Sequence, residues 1–169
     1  KTLEALNFGA VDFVTKPSVK LSKNVASVAD ELIEKIKGVS RAKPKKIDIK
    51  EKEKIEERVK KVKDLGRSAV SLQKCSNLIV LGISTGGPDA LARIMPEFPM
   101  DMNAGLLIVQ HMPAGFTEVF SRRMNKISKI EVREAEEGLL VLPGRAIIAK
   151  GDYHMEIRER SEAYTIHVN

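Results

Sequence analysis

Two side chains in this sequence could do chemistry together: Ser84, in the stretch GISTGG, and His111, in LLIVQHMPAGF. Ser84 is the middle residue of Gly82-x-Ser84-x-Gly86, between the apolar run LIVLGI and a helical-looking stretch that opens with Pro88. A nucleophile on a sharp strand-to-helix turn needs small neighbours, so that the backbone can bend and a substrate can approach. The helix that follows aims free N–H groups and a partial positive charge at the site, and such donors can hold an oxyanion. A serine hydroxyl also needs a base before it becomes a useful nucleophile. His111 stands at the carboxyl end of the next apolar run, GLLIVQH. In open parallel sheets, ligands gather at the carboxyl ends of the strands. The spacing therefore predicts that Ser84 and His111 meet within hydrogen-bond reach, directly or through one water.

Other chemistries fit this turn less well. A phosphate loop of the GxxxxGK[ST] type would need a lysine after Gly87, where Pro88 and Asp89 stand instead. A dinucleotide fingerprint would need a glycine where Ser84 stands. A bland alternative stays open, in which Ser84 only caps the following helix. His154 and His167 fall in a hairpin-like region and are taken as structural or exposed. Three scattered histidines without an i, i+4 pair or nearby cysteines argue against zinc, and no metal or other cofactor is expected. Cys75 has no neighbouring histidine or CxxC partner and is assigned no chemistry. A third group, usually a carboxylate, should orient the imidazole. Asp89, Asp101 and Asp152 have no distinctive context for that, so the orienting aspartate is expected outside this sequence.

The elements that must position these residues can be read from periodicity. LIVLGI (78–83) and GLLIVQH are short continuous apolar runs, as expected of strands buried on both faces. Ala90, Leu91, Ile94 and Met95 mark a helix after the first, ending by Pro96; Phe116, Val119, Phe120, Met124 and Ile127 mark a helix after the second. IEVREA and RAIIA read as further strands, and YHMEIRE with YTIHVN around RSEA as a β-hairpin. Buried strands alternating with helices predict an α/β fold, with a doubly wound, mostly parallel sheet covered on both faces.

Upstream, KTLEALNFGAVDFVTKP reads as a helix end stopped at Gly9, a short strand over 11–14, and Lys16-Pro17. Leu21, Val25, Val28, Ala29, Leu32, Ile33 and Ile36 then mark an amphipathic helix with Gly38 as its cap. One helix and a strand stub cannot bury their apolar faces alone, so residues 1–38 are expected to be the end of a larger domain. Residues 41–64 hold eleven Lys or Arg against six Asp or Glu, which accounts for most of the chain's net +6. No Trp is present, and Tyr153 and Tyr164 lie far from that segment, so no stacking platform for nucleic acid accompanies the basic run. Residues 39–77 are expected to form a charged, partly helical, solvated linker in which Ile55, Val59 and Val62 mark the helix, and no nucleic-acid partner is expected. No apolar run approaches the ~20 residues a membrane span needs, and no membrane insertion is expected. A single cysteine suits a reducing, cytoplasmic setting.

In combination and in this order, IVLGISTGGPDAL, VQHMPAGFT, EVREAEEG and LPGRAIIAKGDYHMEI resemble the chemotaxis protein-glutamate methylesterases (CheB) over residues 78–160. ALNFGAVDFVTKPS resembles the end of the receiver domain that precedes the esterase domain in that family. The resemblance implies three regions: 1–38 as the end of a receiver domain, 39–77 as the linker, and 78–169 as the first part of the methylesterase domain. It implies Ser84 as nucleophile, His111 as general base and acid, and Thr85 with Gly86 as residues shaping the site. The family's triad aspartate and its phospho-accepting aspartate have no counterpart in these residues. Ile83 departs from the family's usual alanine. The implied activity is hydrolysis of glutamate γ-methyl esters on methyl-accepting chemoreceptors, with related glutamine deamidation. Control would come from the chemotaxis histidine kinase, in two-component signalling. Without the aspartate, the segment alone is expected to turn over slowly. A rival reading is a receiver-linked regulator that binds a partner without catalysis.

Overall fold

The computed structural model describes residues 2–7, 10–15, 25–40, 57, 59, 75–160 and 163–169. Its centre is a four-stranded, fully parallel sheet in the order β1 (Leu78–Ile83), β2 (Gly105–Gln110), β5 (Arg145–Ile148), β3 (Glu131–Glu134). Parallel neighbours need crossovers. Helix α3 (Gly87–Ile94), continued by a 3₁₀ turn over Met95–Glu97, links β1 to β2, and α4 (Phe116–Ile127) links β2 to β3. Both crossovers step the same way along the sheet, so a common handedness puts both helices on one face. There Leu91, Met95, Phe120 and Met124 pack on Leu106, Ile108, Val132, Ala146 and Ile148 as a single core cluster.

The opposite face is covered differently. β4 (Leu140–Val141), β7 (Ala163–Val168) and β6 (Met155–Arg160) form a separate antiparallel sheet, in which β6 and β7 are the expected hairpin. Ile166, Val141 and Leu139 bury against Leu107, Ile147 and Cys75 there. Among the described residues the second layer of the α/β fold is thus a small sheet rather than a second pair of helices. Alternation along β2 explains how one strand feeds both cores: Leu106 and Ile108 point one way and Leu107 the other.

Several expectations change in detail. LIVLGI forms a strand, but β1 is the edge of the described sheet and is not buried on both faces; Val80 is 65% exposed. An apolar run reports strand character and does not reveal its rank in the sheet. The segment 11–14 has no regular secondary structure and forms no strand. Helix α1 (Thr2–Asn7) is present, as is α2 (Val25–Val39), which carries Gly38 inside its last turn rather than as a cap. Gly9 and Lys16-Pro17 lie outside the described residues, as does nearly all of the charged linker. Within that linker, Glu57 and Val59 are helical, Glu57 being exposed and Val59 buried.

Candidate active site

Register carries Ser84 and His111 to the same edge. β1 and β2 pair in parallel with Ile83 opposite Gln110, so Ser84 and His111 are the next residue on each strand. The ladder continues one step further, with the His111 N–H donating to the Ile83 carbonyl at 3.0 Å. Both residues are exposed at the carboxyl edge of the sheet. Their side chains share no direct hydrogen bond among the described residues, so their closeness rests on the backbone ladder. Catalytic hydrogen bonds are often long before substrate binds and tighten in the complex.

The turn after β1 folds as its glycines dictate. Gly86 adopts a left-handed conformation (φ 76°) and is the N-cap of α3, with no side-chain hydrogen bond capping the helix. The Ser84 hydroxyl therefore does not serve as the cap, which leaves it free for other work. Gly87 opens α3 and Pro88 follows it, where a missing N–H costs nothing. The Gly87 N–H donates to the Ser84 carbonyl at 2.9 Å and closes the turn. Thr85 is half-buried beside it. Ile83 packs against the helix-side core, so its extra bulk is accommodated behind the serine.

The loop carrying His111 is held by groups that sequence reasoning missed. A methyl group on Gly151 would stand 2.5 Å from the Met112 carbonyl oxygen and 2.6 Å from the Ala114 nitrogen, so the loop after β5 lies directly on the loop after β2. Thr117, fully buried, locks the same junction: its Oγ1 accepts the Gly151 N–H at 3.1 Å and donates to Glu134 Oε1 at 2.5 Å. Asp152, with φ 65°, receives the Ala114 N–H on Oδ2 at 3.5 Å. Asp152 thus braces the histidine loop through backbone. Asp89 pairs with Arg93 on the surface of α3 at 2.8 Å, and Asp101 is exposed. His154 is exposed, while His167 on β7 pairs with Glu137 in the turn before β4. Among the described residues, no three His, Cys, Asp or Glu side chains gather as a group that could hold a metal, and no helix is long and apolar enough to cross a membrane.

The N-terminal elements reach this edge as well. A methyl group on Gly38 of α2 would lie 2.8 Å from Thr85 Cγ2, so the end of α2 sits on the residue after the serine. Phe13 stacks on Phe116, the first residue of α4, with ring centroids 5.0 Å apart. Lys35 joins these two contacts: its Nζ donates to the Phe13 carbonyl at 2.6 Å and to Asp12 Oδ1 at 3.1 Å.

Fold and edge together define a class, an open parallel α/β domain whose candidate residues cluster at the carboxyl ends of neighbouring strands. Within it, the chain belongs to the CheB methylesterase family, whose profile matches residues 79–169. A protein-glutamate methylesterase/protein-glutamine glutaminase of Pyrococcus horikoshii is 40% identical over 169 residues, 99% of this chain and 44% of that protein. A protein of the same description from Halalkalibacterium halodurans is also 40% identical over 169 residues, covering 98% of this chain and 45% of that protein. The crystal structure of the Thermotoga maritima CheB methylesterase catalytic domain matches with a TM-score of 0.53 and 38% identity, over 55% of this chain and 49% of that one. The chain thus spans somewhat less than half the length of these curated relatives.

Proposed function

We propose that the chain contributes the nucleophile and base of a protein-glutamate methylesterase acting on methylated chemoreceptors, with glutamine deamidation as the related activity. In this reading Ser84 attacks the γ-ester carbonyl while His111 accepts its proton. His111 then passes that proton to the departing methoxide, which leaves as methanol, and activates the water that hydrolyses the seryl ester and frees the glutamate carboxylate. N–H groups of the turn through Thr85 and Gly86 stand at the helix N-terminus, where they can hold the oxyanion. The aspartate that orients His111 comes from residues other than these. The observation that carries the reading is the β1–β2 register, which sets Ser84 and His111 side by side.

Residues 1–38, the linker 39–77 and the domain from 78 onward are assigned as receiver end, connector and first part of the esterase domain. The seating of α2 on Thr85 and of Phe13 on Phe116 favours control by obstruction. Phosphorylation of the receiver by a chemotaxis histidine kinase would lift these contacts away from the site, in a cytoplasmic two-component pathway. The test is methanol release from methyl-labelled receptor by the full-length protein. Release that vanishes in Ser84→Ala supports the esterase. Release undiminished in Ser84→Ala removes the nucleophile assignment, and a phosphorylated wild type that releases nothing favours a partner-binding regulator.

A further inference from the structure

Gln110 is the last residue of β2 and is only 5% exposed, on the sheet face that Leu106 and Ile108 give to the core. A carboxamide in an apolar layer is costly unless its polar atoms are bonded. Its Nε2 donates twice, to the Ser84 carbonyl at 3.0 Å and to the His111 carbonyl at 3.3 Å. Reversing the amide would press its oxygen against both carbonyl oxygens, so the two acceptors fix its orientation.

The Ser84 carbonyl already receives the Gly87 N–H. The bond from Gln110 is therefore an additional link and not the rescue of an orphaned acceptor. The space for this side chain is made by a glycine: a methyl group on Gly87 would lie 1.9 Å from Gln110 Oε1. That oxygen is buried and has no hydrogen-bond partner among the described residues. An amide is thus retained with half its bonding capacity unmet, beside a glycine that leaves it room, where a leucine would satisfy the core.

We propose that Gln110 is a positioning residue that clamps the serine turn to the histidine strand end. The proposal rests on reading Ser84 and His111 as nucleophile and base. One NH₂ group holds both carbonyls, so sliding either residue away from the other stretches a bond to the same nitrogen. The His111 N–H to Ile83 bond ties the strands, and the Gln110 amide ties the turn that carries the hydroxyl.

The test compares Gln110→Met and Gln110→Glu with wild type and Ser84→Ala in the full-length protein, with folding checked by circular dichroism. Kcat and KM for methanol release are measured from about pH 8 to about pH 5.5. Gln110→Met should lower kcat roughly ten- to a hundredfold, with little change in KM, because the reacting groups lose alignment while the binding surface remains. In Gln110→Glu the ionised carboxylate has no proton to donate and repels both carbonyls, whereas its protonated form can restore one bond. Its kcat relative to wild type should therefore climb as pH falls, while the relative kcat of Gln110→Met stays flat. Folded variants with wild-type kcat and a wild-type pH profile would overturn the clamp while leaving the esterase reading intact if Ser84→Ala is dead. Activity surviving in Ser84→Ala would overturn the reading beneath it. Wild-type protein supplies a check independent of folding in the variants: the Gln110 amide protons should exchange with solvent far more slowly than those of an exposed glutamine. Exchange at the exposed rate would refute the clamp.

Discussion

At Gly151 the space for a side chain is already filled by backbone: the Met112 oxygen, the Pro113 carbonyl carbon and the Ala114 nitrogen stand within 2.6 Å of where its Cβ would be. Backbone yields less easily than a side-chain tip, so Gly151→Ala should push the loop after His111 outward. Overpacking of this kind costs about 1–3 kcal/mol, and kcat should fall with it; paired denaturant melts and methanol-release assays measure both. Glu137 poses an electrostatic question instead. The Val168 N–H, first, and then the hydrogen bond with His167 hold its carboxyl below the usual carboxylate range. A carboxyl with a depressed folded pKa adds stability above its unfolded value, and loses it as pH falls through the folded one. Thermal melts at neutral and acid pH should therefore show Glu137→Gln less stable than wild type near neutrality, with the gap closing under acid. A gap independent of pH would contradict this account of Glu137.

Among the elements, α2 bears most directly on the proposed control by obstruction. Gly38 lets its last turn rest on Thr85, and Gly38→Val would set branched methyls where Thr85 Cγ2 already lies 2.8 Å from a bare Cβ. If α2 obstructs the site, this variant should release methanol several-fold faster than wild type without phosphorylation. An unchanged basal rate would mean that the contact does not gate activity. The same helix shows where sequence reading stops. Val28, Leu32 and Ile36 made the helix legible, but Gly38 looked like a cap because glycine commonly ends helices, and its contact with Thr85 lies far off in sequence. That Ser84 and His111 stand at one sheet edge was legible because each follows a short apolar run at a recognisable turn. Gln110 was not, because its partners are backbone carbonyls, which leave no mark in residue types. Thr117 and Gly151 were hidden because they meet residues far off in sequence: Thr117 binds the Gly151 N–H and Glu134, and Gly151 lies against the backbone of Met112–Ala114. The insertion of β5 between β2 and β3, and the edge position of β1, are long-range choices that apolar runs of similar make-up do not distinguish.

On the scale of the whole molecule, the parallel sheet works as a frame with two different covers. Helices α3 and α4 fill one side around Phe120, which has no exposure and packs with Met95, Met124 and Ile108. Phe120→Ala should destabilise the domain by about 3–5 kcal/mol, as large cavities in closed cores do, read as a shift in the denaturant midpoint. The proposed site then depends on the frame's rigidity, since Ser84 and His111 follow different strands and are held together by register and by the Gln110 amide. Double-mutant kinetics probe that dependence most directly: methanol release by the full-length protein carrying Ser84→Ala, His111→Gln, or both. Groups that act as a unit lose activity together and not multiplicatively. The double variant should release methanol no more slowly than Ser84→Ala alone, with each single variant near that same floor. A double variant whose loss is the product of two independent losses would contradict the pairing of Ser84 with His111.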